Sequence, residues 1–470
     1  MLAIFVDGFV RGGGRSAAVL RTAFVSMLAR GFSIVSSLVT VPIVLHHLGA
    51  ERYGVWMAAI ALATWFMIAD GGITKSLIAQ VAQAHGADDR TRIRILVGSA
   101  IAMTVAFTLL FFVAVLIGVR LVDWTWVFNL SDPALGREAG SAVTIICACY
   151  ALAFPATVVR ETRLGLLQGG AVNTWDLGGS MLGFAGLVTV VSLGYGLELI
   201  AAVWSGAPAL ARTVGALVFL WGEGRDIVPS WRDVRPAVCR SLLGGGSVFM
   251  IYTLALALSV QSDQILIARF LGAEAVADYS VVQRLFNQPP VLVTLFLAAQ
   301  WPAYGEALGR GDFDWIRRHF RQTLIGFMIV GTILCGLLGY FCQDILRVWV
   351  GGAIVASPTL VTAMAIYGVV AIIASVFSFF FMSLQLYRPL IFAQVAMTAI
   401  NLPLTIFLLP RIGSPGAIIG TTAGYLFALV LPGFVMLRHI LTDLPTLKAR
   451  VPAASDAPAK ASPARPRPAA

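Results

Sequence analysis

Leu48-Gly49-Ala50-Glu51 follows the first long apolar segment of the chain, and Leu271-Gly272-Ala273-Glu274 follows the seventh, 223 residues later. A second motif recurs at the same offset, and it pairs Asp89, Ile93 and Arg94 with Asp312, Ile316 and Arg317. The two motifs are therefore repeated in register, which indicates that the chain contains two copies of one unit. Many membrane transporters are built from such repeats, with the substrate path at the interface between them.

Apolar residues dominate the composition. Of the 470 residues, 59% are hydrophobic and 12% are charged, and the mean hydropathy is +0.87. One soluble core cannot bury this much apolar surface, so the chain belongs in a bilayer. A membrane-spanning helix needs about 20 mostly apolar residues. Twelve segments meet this requirement, roughly 24–46, 54–76, 95–119, 141–160, 174–194, 197–220, 242–268, 276–300, 322–342, 358–383, 389–409 and 415–437.

The apolar segments lack the sustained alternation of polar and apolar residues that an outer-membrane barrel needs. The sequence therefore predicts an all-α polytopic membrane protein, with two six-helix bundles related by the internal repeat. Asp89 and Asp312 precede predicted helices, whose free amides we expect them to cap. The expected organisation is a cytoplasmic N-terminus at 1–19, bundles at 20–221 and 241–440, a cytoplasmic linker at 222–240, and a disordered cytoplasmic tail at 441–470.

Basic residues are distributed unequally between the two sides of the predicted membrane. Of the 33 Lys and Arg residues, 24 fall on the side that holds the termini, six fall on the opposite side, and three fall inside spans. Under the positive-inside rule, both termini are therefore predicted to be cytoplasmic. The net charge of +10 then follows from topology and from contact with anionic membrane lipids, without a nucleic-acid partner.

Ionisable residues inside predicted spans are candidate functional sites, because each costs several kcal/mol in a bilayer. Arg30 lies in the first span and Arg284 in the eighth, so the two come from different halves. Guanidinium groups pair bidentately with phosphate oxygens, and the two arginines together suit a substrate that carries pyrophosphate. In the alternative interpretation, Arg30 extends to the membrane surface and Arg284 pairs with a helix terminus.

Two aspartates are candidates for ion coupling or for polar contacts in a cavity. Asp263 lies in the polar cluster 259–264 of the seventh span, where its carboxylate could bind H⁺ or Na⁺, or pair with a nearby Arg. Asp70-Gly71-Gly72 interrupts the second span, and glycines there permit either a bend or exposure of backbone groups to a cavity. The sequence leaves these alternatives open.

Nothing in the sequence indicates catalysis. Gly12-Gly13-Gly14 and Gly244-Gly245-Gly246 lack the Lys and the Ser or Thr of a phosphate-binding loop, and the five cysteines have no metal-binding spacing. The loops on the side opposite the termini are short and leave no room for an external domain. We therefore predict a protein that is not an enzyme and has no cofactor, no bound metal and no catalytic residues.

Several stretches resemble the polysaccharide transporter family, which includes the Wzx-type lipid-linked oligosaccharide flippases of the multidrug/oligosaccharidyl-lipid/polysaccharide exporter superfamily. The resemblance covers about residues 20–440, in both halves of the chain. It is carried by Val41-Pro42, Leu48-Gly49-Ala50-Glu51-Arg52-Tyr53-Gly54-Val55-Trp56 and Ala69-Asp70-Gly71-Gly72-Ile73 in the first half, and by Asp263-Gln264-Ile265-Leu266, Leu271-Gly272 and Tyr279 in the second.

The resemblance implies two six-helix bundles in a V that alternates between inward-open and outward-open states in the bacterial inner membrane. It implies that the substrate is an undecaprenyl-pyrophosphate-linked oligosaccharide for O-antigen (lipopolysaccharide), capsule or exopolysaccharide synthesis. Cavity arginines hold such substrates in this family, a role that Arg30 and Arg284 fit. Coupling to H⁺ or Na⁺ occurs in the superfamily, with Asp70 and Asp263 as candidates here. The expected partners are membrane lipids and a glycan polymerase and glycosyltransferases of the same pathway.

Two other functions are compatible with a polytopic membrane protein. A cation-coupled multidrug exporter on the same fold would be expected to carry acidic residues in its cavity for cationic drugs, whereas the candidate substrate residues here are Arg30 and Arg284. A membrane glycan polymerase or ligase would need a large external loop, and the predicted loops are short. Both alternatives are therefore less favoured than the flippase.

Overall fold

The computed structural model describes residues 15–68, 73–384, 386–442 and 444, and the helices occupy nearly all of them, with no strand. The N-terminal region 1–14, Asp70 and nearly all of the predicted tail lie outside the described residues. The α-helices are α1 (Arg15–Ile68), α2 (Ile73–Gly86), α3 (Arg90–Leu121), α4 (Trp124–Phe128), α5 (Pro133–Gly165), α6 (Gly169–Ser192), α7 (Leu197–Trp221), α8 (Pro236–Leu271), α9 (Ala273–Phe286), α10 (Gln288–Arg310), α11 (Phe313–Val350), α12 (Pro358–Ser383), α13 (Tyr387–Ile412), α14 (Pro415–Tyr425) and α15 (Leu431–Thr442).

The predicted fold class is confirmed, and helices lie at all twelve predicted spans. Within the described ranges, nine helices are long and apolar enough to cross a membrane. The number is lower than twelve partly because Leu28–Thr64, which contains most of the first span and part of the second, is counted once although non-helical backbone at Gly49 divides it. The eighth span is divided at Asn287 between α9 and α10, where two prolines begin the second helix.

The repeated Leu-Gly-Ala-Glu motif produces the same backbone turn twice. Gly49 has φ 79° and ψ 168°, and Gly272 has φ 92° and ψ 169°. Positive φ of this kind is open to glycine at little cost and is strained for residues with a side chain. We call the end of the molecule where these two turns lie the Gly49 end.

The opposite end is marked by the second repeated motif, and we call it the Asp89 end. The Asp89 carboxylate accepts a hydrogen bond from the Arg92 backbone N–H at 2.8 Å, at the start of α3. The Asp312 carboxylate accepts from the Trp315 backbone N–H at 3.1 Å, at the start of α11. The predicted capping of both helices is therefore confirmed.

The apolar cores show how the halves meet. At the Gly49 end, one continuous core draws on both halves, and it includes Val41, Trp56, Phe128, Tyr279, Leu346 and Val350. Toward the Asp89 end, the core divides into two separate clusters. One contains Leu77, Ile93, Val158 and Phe219, and the other contains Tyr304, Phe320, Phe377 and Ile440. The described cores are therefore continuous at the Gly49 end and divided toward the Asp89 end, where Leu242 at the start of α8 packs with the first of these two clusters.

The segment between the halves packs against α3. Two short 3-10 turns, Arg225–Ile227 and Trp231–Asp233, precede α8. The Asp233 carboxylate accepts from the Ser230 backbone N–H at 2.8 Å and lies 3.3 Å from the Arg94 guanidinium. These contacts anchor the segment to the start of α3.

Removal of the Asp233 carboxylate is expected to loosen this segment. The Ser230 backbone N–H, with further help from Arg94, lowers the pKa of Asp233. Since the pKa is lower in the folded state, the stabilisation is complete above the ordinary Asp value of about 3.9 and disappears as the pH falls below it. We expect chymotrypsin to cleave Asp233→Ala after Trp231, which is exposed, severalfold faster than the wild type at pH 7. Asp226→Ala, which breaks only an exposed ion pair, is the control and should be cleaved at the wild-type rate.

Candidate functional site

Arg284 reaches from the second half of the chain to the first. It lies in the last turn of α9 and is half-buried. One terminal nitrogen donates to the Ser37 carbonyl at 3.0 Å, and the other lies 3.8 Å from the Met57 sulfur. Ser37 lies in the middle of α1, so the alternative that Arg284 pairs with a helix terminus is not supported. Neither contact partner is acidic, and neither neutralises the guanidinium charge.

Arg30 lies on α1 and is exposed. Residues three, four and seven positions apart share one face of a helix, which places Arg30 on the face that also carries Ser33 and Ser37. Seven residues of helix rise about 10 Å. The structure therefore places Arg30 two helical turns from the residue whose carbonyl holds Arg284.

A proline in α1 creates a second contact between the halves. Pro42 has no N–H, so the Leu38 carbonyl four residues earlier loses its helical hydrogen bond. The Trp349 indole N–H, near the end of α11, donates to this carbonyl at 2.9 Å. Nearby, Gly54, three residues after the first turn motif, packs against the backbone of the second, because a Cβ added at Gly54 would overlap the Ala273 carbonyl. The Gly49 end is therefore closed by contacts that require close backbone approach.

Trp349→Phe is expected to weaken this closure. The variant keeps an aromatic ring but leaves the Leu38 carbonyl without its donor, which costs about 1–3 kcal/mol when the group is buried. We expect faster modification of a reporter cysteine, Ala277→Cys, in the core of the Gly49 end, by a maleimide that cannot cross membranes. The background lacks the five native cysteines. Trp221→Phe, which alters an exposed ring elsewhere, is the matched control; equal rates in the two variants would refute the role of the Trp349 hydrogen bond.

Asp263 is buried in the second half, with a relative exposure of 1%. One carboxylate oxygen accepts from the Tyr279 hydroxyl at 3.0 Å and from the Thr421 hydroxyl at 2.8 Å. The Asn401 amide donates to Thr421 at 2.6 Å, and the Gln283 amide donates to Tyr279 at 3.3 Å. The two hydroxyls are thereby fixed as donors toward the carboxylate.

Two oxygens of this cluster receive no hydrogen bond from the part of the chain that the structure describes. Asp263 Oδ1 and Asn401 Oδ1 are both buried and accept no hydrogen bond from the described residues. The carboxylate also has no ion pair within the described part of the chain, so the alternative that Asp263 pairs with an Arg is not supported. Burial of an isolated carboxylate is very unfavourable. Such a group is expected to carry a proton or a bound cation.

Sequence reasoning did not identify the neighbours of Asp263. Tyr279, Asn401 and Thr421 come from α9, α13 and α14, and only the fold brings them together. Each is a polar residue inside an apolar span, which was the available signal. Asp70, the other aspartate candidate, lies outside the described residues and stays a prediction.

A cluster of paired acidic and basic side chains lies in the first half. The Arg160 guanidinium binds Asp176 at 2.9 Å and Glu161 at 2.8 Å. Arg212 lies 3.6 Å from the other Asp176 oxygen. Asp176 on α6 therefore joins α5 and α7 through two arginines.

Comparison with known proteins identifies a matching family and several similar sequences. Residues 19–307 match the family described as polysaccharide biosynthesis protein. A Salmonella typhi protein named as an O-antigen transporter is 25% identical over 318 residues, 66% of this chain and 71% of that protein. A Yersinia pseudotuberculosis protein named as an O-antigen export protein is 21% identical over 373 residues, 77% of this chain and 82% of that protein.

Solved structures share the fold. An inward-facing multidrug resistance transporter of the MATE family, in the MOP superfamily, has a TM-score of 0.69 at 12% identity, covering 91% of this chain and 99% of its own. An outward-facing transporter of the same description has a TM-score of 0.60 at 14% identity, covering 91% and 96%. The family resemblance found in the sequence is confirmed. The chain belongs to the polysaccharide biosynthesis protein family.

Proposed function

We propose that this protein is a flippase, which moves an undecaprenyl-pyrophosphate-linked oligosaccharide from the cytoplasmic to the periplasmic leaflet of the bacterial inner membrane. The observation that carries the proposal is Arg284, a half-buried guanidinium between the halves with no acidic partner among its contacts. A phosphate group is the natural ligand of such a donor. Arg30, two turns from Ser37 on α1, supplies a second guanidinium for the pyrophosphate.

Alternating access is the mechanism we propose for the transfer. The described cores are joined at the Gly49 end and separate toward the Asp89 end, and the predicted orientation places the Asp89 end in the cytoplasm. The substrate then enters from the inner leaflet. Its phosphates compete with the Ser37 carbonyl for Arg284, because an anion is the stronger acceptor. Loss of this contact favours the state in which the Gly49 end is open. A ligand shifts the population of two states toward the one that it binds more tightly, and the substrate does so here by replacing the Ser37 contact.

We propose that Asp263 couples this cycle to a gradient of H⁺ or Na⁺. Its unpartnered oxygen and that of Asn401 are suitable ligands for a small cation, and a proton on the carboxylate would serve equally. The cluster joins α8, α9, α13 and α14, so a change in its charge alters packing throughout the second bundle. Asp70 is a second coupling candidate on sequence grounds alone.

The multidrug exporter and the glycan polymerase or ligase each need a structural feature that the flippase does not. A multidrug exporter needs acidic groups for cationic drugs. Here the charged side chain that contacts Ser37 from the other half is Arg284, and Arg30 lies on the same face of α1 as Ser37. A glycan polymerase or ligase needs an external domain. The longest described connection at the Gly49 end, between α3 and α5, spans only residues 122–132.

We also propose cytoplasmic termini and pathway partners that include the glycan polymerase and glycosyltransferases.

The proposal can be tested in bacteria that lack their own flippase but assemble the lipid-linked oligosaccharide. Expression of this protein should restore polymer at the cell surface and remove the precursor that accumulates in the inner leaflet. Export of ethidium without restored polymer would instead support the drug exporter. A change in polymer chain length without relief of precursor accumulation would support the polymerase.

A further inference from the structure

A cavity whose wall carries several hydroxyl groups lies inside the first half, in the middle of its helices. Its volume is about 530 Å³, within the range of roughly 300–1,000 Å³ that is usual for small-molecule sites. Seven of the lining side chains carry hydroxyl groups, namely Ser33, Ser36, Ser37, Thr64, Tyr150, Ser180 and Ser205. A concentration of hydroxyls at the depth of a membrane is unfavourable unless they have polar partners.

The hydrogen bonds of these hydroxyls leave them able to bind a ligand. Ser36, Thr64 and Ser180 donate to carbonyls of their own helices at 2.8–3.2 Å, so their oxygens remain available as acceptors. Ser205 is buried, with 4% exposure, and its hydroxyl has no partner among the described residues. A water molecule or a polar ligand in the cavity would satisfy this hydroxyl.

The charge of the lining favours a neutral or acidic ligand over a cation. Arg212 lines the cavity, and none of the described lining residues is acidic. Asp176 is held at 2.9 Å by Arg160 on one oxygen and lies 3.6 Å from Arg212 on the other. The Nε of Arg212 faces Asp176 in this ion pair, and its two terminal nitrogens make no hydrogen bond to a described residue, so these two remain available.

We propose that this cavity binds sugar units of the transported oligosaccharide and prefers sugars that carry a carboxylate. Multiple hydroxyl acceptors and donors match a polyol, and Arg212 matches the acid group. The inference rests on the proposed function and deepens it. Ser37 lines the cavity, and its carbonyl holds Arg284, so pyrophosphate bound by the two arginines places the attached sugars at the cavity.

Binding of soluble probes to the purified full-length protein tests the site. Hyaluronan tetrasaccharide carries carboxylates, chitotetraose is a neutral counterpart, and ethidium is a cationic probe. We expect hyaluronan tetrasaccharide to bind about tenfold more tightly than chitotetraose, the lower end of what one charge-assisted hydrogen bond supplies. Arg212→Gln should remove this difference, and Ser205→Phe should weaken both sugars about tenfold or more by filling the cavity.

Two further variants keep the result interpretable. Ser192→Phe places the same ring at an exposed position outside the cavity and should bind both sugars normally. Ser205→Val makes a smaller change and should give an intermediate loss, even if Ser205→Phe fails to fold. Unchanged sugar binding in Ser205→Val, or tighter binding of ethidium than of either sugar, would overturn the proposal.

Translocation assays on the same variants separate this inference from the proposed function. If the wild type translocates the lipid-linked oligosaccharide and folded Ser205→Phe does so at the same rate, the cavity is not the sugar site and the flippase assignment stands. If the wild type binds the acidic tetrasaccharide through Ser205 and Arg212 but translocates no lipid-linked oligosaccharide, the flippase assignment fails alone.

Discussion

Arg284→Gln and Arg30→Gln are each expected to slow translocation of a lipid-linked oligosaccharide about 10- to 100-fold, because each removes charge-assisted hydrogen bonds worth roughly 1.5–3 kcal/mol. Arg284→Lys should retain part of the activity, since an ammonium keeps the charge but not the planar fork that matches two phosphate oxygens. The rates are to be measured with the purified variants in vesicles.

The control for these variants is Arg347→Gln in the second half, which removes an exposed arginine paired with Asp344. It should translocate at the wild-type rate. Arg284→Gln also removes the hydrogen bond to Ser37, whereas Arg30→Gln leaves that bond intact, so Arg30 isolates the anion-binding role. Wild-type rates in both arginine variants would remove the anion site from the mechanism.

Asp263→Asn is expected to abolish the dependence of translocation on an ion gradient. A potential of 100 mV supplies about 2.3 kcal/mol per charge, which corresponds to about a 50-fold ratio of substrate between the two leaflets. The wild type should respond to a Na⁺ or H⁺ gradient of this size. The Asn side chain still accepts from Tyr279 and Thr421 but carries no charge. Basal exchange should therefore remain while acceleration by the gradient is lost. Imposing each gradient separately on loaded vesicles identifies the ion.

Asp344→Asn, at an exposed carboxylate of the same half, is the matched control and should keep the full response. Asp263→Ala should also be less stable, because it leaves the Tyr279 and Thr421 hydroxyls without an acceptor, at about 1–3 kcal/mol each. An Asp263→Asn protein that responds to both gradients as the wild type does would exclude this carboxylate from coupling.

The architecture was largely predictable because it depends on local patterns. Hydrophobic length identified the helices, and the repeated Leu-Gly-Ala-Glu motif marked the turns at Gly49 and Gly272. Asp89 and Asp312 cap the helices that follow them, which was predictable because each aspartate stands just before a predicted helix. The non-helical backbone at Gly49 lies between the first two predicted spans, where the sequence placed their boundary.

The site was less predictable because it depends on contacts between distant segments. Intramembrane charge drew attention to Arg284 and Asp263, but the sequence could not distinguish their possible partners. Only the fold shows that Arg284 contacts the Ser37 carbonyl and that Asp263 contacts hydroxyls. The link between Pro42 and Trp349 was equally hidden, since the donor lies 311 residues from the carbonyl that the proline frees.

The central claim is translocation of a lipid-linked oligosaccharide, and purified protein in vesicles tests it most directly. The probe is a fluorescent undecaprenyl-pyrophosphate-linked oligosaccharide distributed over both leaflets, with a quencher that cannot cross the membrane. Empty vesicles should retain the fluorescence of the inner leaflet, about half of the total. With this protein, we predict that nearly all of the fluorescence is quenched, and that the rate falls in Arg30→Gln. Persistence of the inner-leaflet fluorescence with correctly folded wild-type protein would contradict the account.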